Sequence, residues 1–274
     1  MNGIDAVKPF AATLARAAMI GLVAFVVFGP LANLAIWAFT EQWYFPNRLP
    51  TQWGFGFWER VFRPRAGAWE SLYNSLAIAL LTVALSMALA VPAGYALARL
   101  ALPLRSAIMV LFLLPQAFPS LPIFINIAAM FYGLGLNGTI AGVVLVHSLP
   151  GLVYAVWIAT ASFSAVDRSM EEAARNLGAG RLRTFATITL PQAAPGLMAA
   201  SIFVFLDSID EFTGTYFVGT PDITTLPLLM FNASMGGNYQ IAAITALILL
   251  IPSVGFMLVI ERFLKADVLS RIGR

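Results

Sequence analysis

Six long apolar runs constrain this chain more than any other feature. They cover residues 17–39, 72–97, 106–132, 139–163, 193–218 and 239–260. At about 1.5 Å of rise per residue, helices of that length cross a hydrocarbon layer of about 30 Å. A barrel strand would alternate polar and apolar residues over about ten positions, and these runs are continuously apolar. The expected fold is therefore an all-α integral membrane protein with six transmembrane helices, in one domain over residues 1–274. The first run exceeds the roughly 7–15 residues of a signal-peptide core, so it reads as a retained span.

Composition agrees. Hydrophobic residues make up 60% of the chain and charged ones 11%, against about 25% charged in soluble domains. The absence of cysteine and the single histidine, His147, exclude disulfides, thiolate metal sites and multi-histidine metal sites. With a net charge of +3, the basic residues flank apolar runs, which points to the membrane surface rather than nucleic acid. Of the 16 Lys and Arg residues, only Arg48, Arg60, Arg63 and Arg65 fall on the side holding the first long loop. The rest share the other side with both termini, which places the termini in the cytoplasm.

The first outer loop is rich in Trp, Tyr and Phe, from Trp43 to Trp69. It reads as an interfacial aromatic belt, a docking surface for an external partner, or both. The third run contains Pro115, Pro119 and Pro122. Prolines kink helices, so this span is expected to be bent, either lining a pathway or merely packing.

The one sizeable polar segment on the cytoplasmic side is residues 162–191, SFSAVDRSMEEAARNLGAGRLRTFATITLP. Ser169 with Glu172 three residues on gives a capping-box signal, and Asp167 is a second candidate cap. Met170, Ala173, Ala174 and Leu177 then recur at helical spacing, and Gly178 suits a left-handed helix end. Physically this is a short amphipathic helix, which could lie under the membrane. Its spacing is more specific. Glu172-Ala173-Ala174, Gly178 followed by Ala179, Phe185, Ile188 and Leu190-Pro191 resemble the EAA loop of ABC importer permeases. That resemblance implies a coupling helix between spans four and five. Glu172, Ala173, Ala174 and Gly178 would dock on a cytoplasmic ATPase there, and ATP and Mg would bind on two partner ATPase subunits. This chain would hold no cofactor and no catalytic residues. It has no GxxxxGK[ST] loop of its own.

Asp207, Asp210 and Glu211 interrupt the fifth run. Their spacing puts them on one helical face, continued by Gly214. Intramembrane acids cost about 2.5–3.5 kcal/mol each on insertion scales and mark functional sites by default. They could pair with a second subunit, become protonated, face outer water, or serve as counter-charges for a cationic substrate. Residues 205–212, Phe217-Val218-Gly219 and Thr225-Leu226-Pro227-Leu228 resemble spermidine/putrescine-type permeases. That implies a cationic polyamine, an extracytoplasmic binding protein, and a second permease subunit of a different kind, in a bacterial inner membrane. Tyr216 and Trp157 are further pathway candidates. Related machines carry iron, aminophosphonates or amino-acid derivatives. A different class, a proton-coupled secondary transporter, would use the acids as a relay but leaves the EAA-like segment unexplained.

Overall fold

A computed structural model describes residues 4–272. Helix α1 (Ile4–Ala38) leads into a short hairpin, β1 (Thr40–Gln42) and β2 (Gln52–Trp53), and then α2 (Gly56–Val61). Next come α3 (Ala68–Arg99), α4 (Arg105–Leu111), α5 (Leu114–Ala117), α6 (Ser120–Gly133) and α7 (Ile140–Ser164). The chain continues through α8 (Arg168–Asn176), α9 (Arg181–Thr184), a π-helical turn (Phe185–Thr189) and α10 (Leu190–Asp210). After a second π turn (Thr215–Gly219), α11 (Leu226–Met235) and α12 (Tyr239–Ile272) complete it. Five segments among the described residues are long and apolar enough to cross a membrane: Ala15–Ala38, Ala68–Arg99, Ile140–Ser164, Arg181–Asp210 and Tyr239–Leu258.

Helix α7 lies at the centre, packed against α3 and α10. Small residues let these backbones approach, which is how apolar helices gain contact where lipid offers no hydrophobic drive. A Cβ added at Gly94 would lie 2.6 Å from the Ala159 Cβ, and one at Gly151 would lie 3.1 Å from Val204. Valine at position 94 should therefore force α3 from α7 and sharply lower the yield of folded protein in detergent. Overpacking of this kind costs about 1–3 kcal/mol, occasionally more. Size-exclusion chromatography of the purified variant checks this, and an unchanged monodisperse yield would refute it.

Helix α1 stands apart. It packs on α12, and Met19, Ile20, Leu22, Val23, Phe25 and Phe28 are all exposed. The aromatic loop is partly folded into the bundle. Trp58 donates its indole N–H to the Ala38 carbonyl at 2.8 Å and stacks on Phe39 and Phe62. Trp53, Phe55 and Trp69 remain exposed.

Two expected spans differ from the sequence reading. Residues 106–132 do not form one bent helix but three pieces. Phe118, preceding Pro119, is extended (φ −102°, ψ 147°), as the proline ring demands of the residue before it. The fifth run begins earlier than residue 193 and does not reach 218 as one helix. It stops at Asp210, and Glu211 is extended (φ −75°, ψ 118°). The first and sixth expected spans keep close to their bounds, as Ala15–Ala38 and Tyr239–Leu258, within helices that run from Ile4 and on to Ile272.

Candidate functional site: a capped amphipathic helix and a broken acidic helix

Helix α8 is capped at both ends by its own sequence. Asp167, rather than Ser169, is the N-cap, its carboxylate accepting from the Ser169 N–H at 2.9 Å. That bond holds the exposed Asp167 carboxyl below its ordinary pKa, since hydrogen bonds to the charged form favour it. At the other end Gly178 takes φ +88°. Its N–H meets the Arg175 carbonyl at 2.9 Å, and that of Ala179 meets Ala174 at 3.0 Å. This pair of bonds is a Schellman closure, which glycine permits without steric cost.

The apolar stripe expected on α8 faces outward. Met170 is 47% exposed and Leu177 90%, with Glu172 and Ala173 also exposed and Ala174 half-buried. The buried residue is Glu171, at 3% exposure. Its carboxylate lies 3.2 Å from Arg99 and 3.4 Å from Arg175 and accepts from the Thr189 hydroxyl at 2.7 Å. Sequence reasoning passed over Glu171 because it sits beside the EAA glutamate. Both Glu171 and Glu172 fall off the apolar stripe, so the local pattern held no signal that told them apart. Arg99, Glu171, Glu172, Arg175, Arg181 and Phe185 line part of a cavity of about 830 Å³ between α3, α8 and α9.

The acids lie at the opposite end of the bundle, and the helix break separates their roles. Asp207 is half-buried, and its Oδ2 is buried without a hydrogen-bond partner. Asp210 is exposed. Glu211 does not continue their helical face. Its carboxylate accepts from the Gly214 N–H at 2.8 Å, capping the turn that follows. Tyr216 packs edge-on against Phe217 and Phe231, beside the stacked pair Phe212–Phe231.

His147 pins this region together. Its ring nitrogens lie 2.9 Å from Ser208 Oγ and 2.8 Å from Thr215 Oγ1, joining α7 to both sides of the break. The contacts His147–Ser208, Gly151–Val204 and Gly196–Ser162 set the antiparallel register of α7 and α10. Trp157, part-exposed on α7, lies nine residues beyond Ser148, the position level with Asp207. The offset is roughly 13 Å at helical rise. The structure thus groups Tyr216 with the acids and leaves Trp157 nearer α8.

The chain is thus a bundle of several apolar spans with a capped amphipathic helix at one end. The crystal structure of a bacterial ABC transporter involved in alginate import contains a chain of the same fold. Its TM-score is 0.72 at 17% identity, over 96% of this chain and 98% of that one. Residues 90–266 match the binding-protein-dependent transport system inner membrane component family, and the chain belongs to it. A putative ABC transporter permease of Streptomyces antibioticus is 31% identical over 72% of this chain and 87% of its own length. A putative 2-aminoethylphosphonate transport system permease of Salmonella typhimurium is 27% identical over 92% of this chain and 95% of its own. The putrescine transport system permease of Escherichia coli is 38% identical over 38% of each chain. This chain is thus a multi-pass membrane protein and the permease component of an ABC importer.

Proposed function

We propose that this permease carries a small cationic solute, a polyamine, delivered by an extracytoplasmic binding protein. The observation that carries the reading is Asp207, its buried oxygen unpartnered, one helical turn from exposed Asp210 where α10 breaks. No lysine or arginine occurs between Arg183 and Arg262, so this stretch of the chain offers the acids no counter-charge. A polyamine would supply one, as a charge-assisted bond to a carboxylate is roughly twice as strong as a neutral one. The putrescine relative supports this over its short match. The aminophosphonate relative, matching over almost the full length, favours a second reading: a zwitterion whose ammonium meets the same acids.

In this reading residues 1–274 form one domain of six spans, with α4 to α6 together making the third crossing. Both termini and α8 face the cytoplasm of a bacterial inner membrane. Glu172, Ala173, Ala174 and Gly178 present α8 to one of two ATPase subunits, which hold ATP and Mg. The outward apolar stripe of α8, with Leu177 almost fully exposed, supports a protein partner there. A second, different permease subunit would cover part of α1 and the open face of α7. Asp207, Asp210, Glu211, Tyr216 and Trp157 would line the pathway, Glu211 chiefly by shaping the turn.

Native mass spectrometry of the complex, purified with its binding protein, tests the cargo. A bound di- or polycation supports the main reading, a phosphonate the second, and a neutral or purely anionic molecule refutes both.

A further inference from the structure

Glu171 and Glu172 are adjacent, yet one is buried in the bundle and the other is exposed. We infer that Glu171 is a positioning residue. It fastens α8 to the ends of α3 and α10, so that a displacement of α8 moves all three as one body. The inference rests on the reading that α8 receives force from an ATPase.

The geometry argues this from what holds α8 in place. Its apolar residues are mostly exposed, with Leu177 at 90%, and Met170 meets the bundle at its sulfur, which accepts from the Gln192 amide at 3.2 Å, so hydrophobic packing gives α8 little grip. The grip is polar and passes through Glu171. Arg99, the last residue of α3, meets Glu171 at 3.2 Å, and the two side chains are 7% and 4% exposed. The same guanidinium donates to the Val166 carbonyl, in the linker from α7, at 2.7 Å. Thr189, fully buried in the π turn that leads into α10, donates to Glu171 at 2.7 Å. π turns often mark functional sites within helices, and this one places the Thr189 hydroxyl on the carboxylate. One carboxylate therefore bridges the ends of two long helices, with the linker from α7 held through Arg99. A buried pair with one partner removed leaves an uncompensated charge, so intermediate, partly loosened states are disfavoured.

The chain lacks cysteine, so cysteines introduced at exposed Ala101 and Asn176 can carry unique spin labels in this subunit. The test uses the whole complex in lipid nanodiscs, with partner subunits made free of reactive cysteine. Pulsed electron resonance should give one label distance, the same without nucleotide and with ATP trapped. In a Glu171→Gln background the distribution should broaden and change with nucleotide. In proteoliposomes of the unlabelled variant, uptake per ATP hydrolysed should fall by about tenfold while hydrolysis continues, within the range of coupling changes from single substitutions. Thr189→Val should give a smaller effect of the same kind. A wild-type distance that changes between nucleotide states overturns the inference whatever the variants do. So does a Glu171→Gln variant whose uptake and hydrolysis fall in equal proportion. A complex that hydrolyses no ATP refutes the reading that α8 receives force from an ATPase, a separate outcome.

Discussion

Valine in place of Gly178 will cut uptake at least tenfold, whereas asparagine at the same position will preserve most of it. Gly178 sits at φ +88°, where an ordinary L-residue costs about 1–2 kcal/mol and a β-branched one more. Nothing lies within 4 Å of a Cβ added there, so the loss acts through the backbone and not through a clash inside this chain. Valine would open the closure formed by the Gly178 and Ala179 N–H groups and redirect the chain leaving α8. Asparagine tolerates the left-handed region and is the usual alternative at such helix ends. Since about 1.4 kcal/mol is a factor of ten, valine should lower substrate uptake into proteoliposomes at least tenfold and asparagine about twofold or less. Aspartate is the informative third variant. It keeps the turn but adds a charge beside the exposed stripe, so a loss there reports on docking. Equal losses for valine and asparagine would sink the backbone argument.

Asp207→Asn should be the most damaging conservative change at the other end of the bundle. The amide keeps the shape and removes the charge. A hydrogen bond to a charged group contributes about 1.5–3 kcal/mol, so uptake of labelled putrescine or spermidine should fall by about tenfold or more. Assembly of the complex should be retained. Asp210→Asn should act in the same direction. Glu211→Gln should do less, because its carbonyl oxygen can still accept from Gly214. Unchanged polyamine kinetics in both aspartate variants would remove the acids from the pathway.

The runs at 72–97 and 139–163 became α3 and α7 with their ends shifted by a few residues, because continuous apolar sequence reports helix directly. Hydropathy does not place the interruption of the third run, since the extended residue Phe118 is as apolar as the helices on either side of it. The prolines signalled a bend in the third run but not that Phe118 would turn fully extended. The break at Glu211 carried still less signal, because an acid three residues before a glycine reads equally as one helical face. Asp167 and Ser169 both qualify as caps, and only the backbone angles choose between them. Glu171 was hidden for a similar reason: which of two adjacent glutamates turns inward depends on Arg99 and Thr189, remote in sequence.

Helix α1 packs on α12, meets α2 at its last residue, Ala38, and leaves its flank from Met19 to Phe28 uncovered. Extracted from a membrane, the isolated subunit must wear amphiphile along that whole flank. Anything that binds the native state alone raises its apparent stability, and subunits that fold together have none independent of concentration. A melting temperature taken on the lone subunit would therefore describe a protein–detergent particle and shift with the surfactant chosen. Thermal comparisons of variants belong in the reassembled transporter, with every preparation in the same lipid.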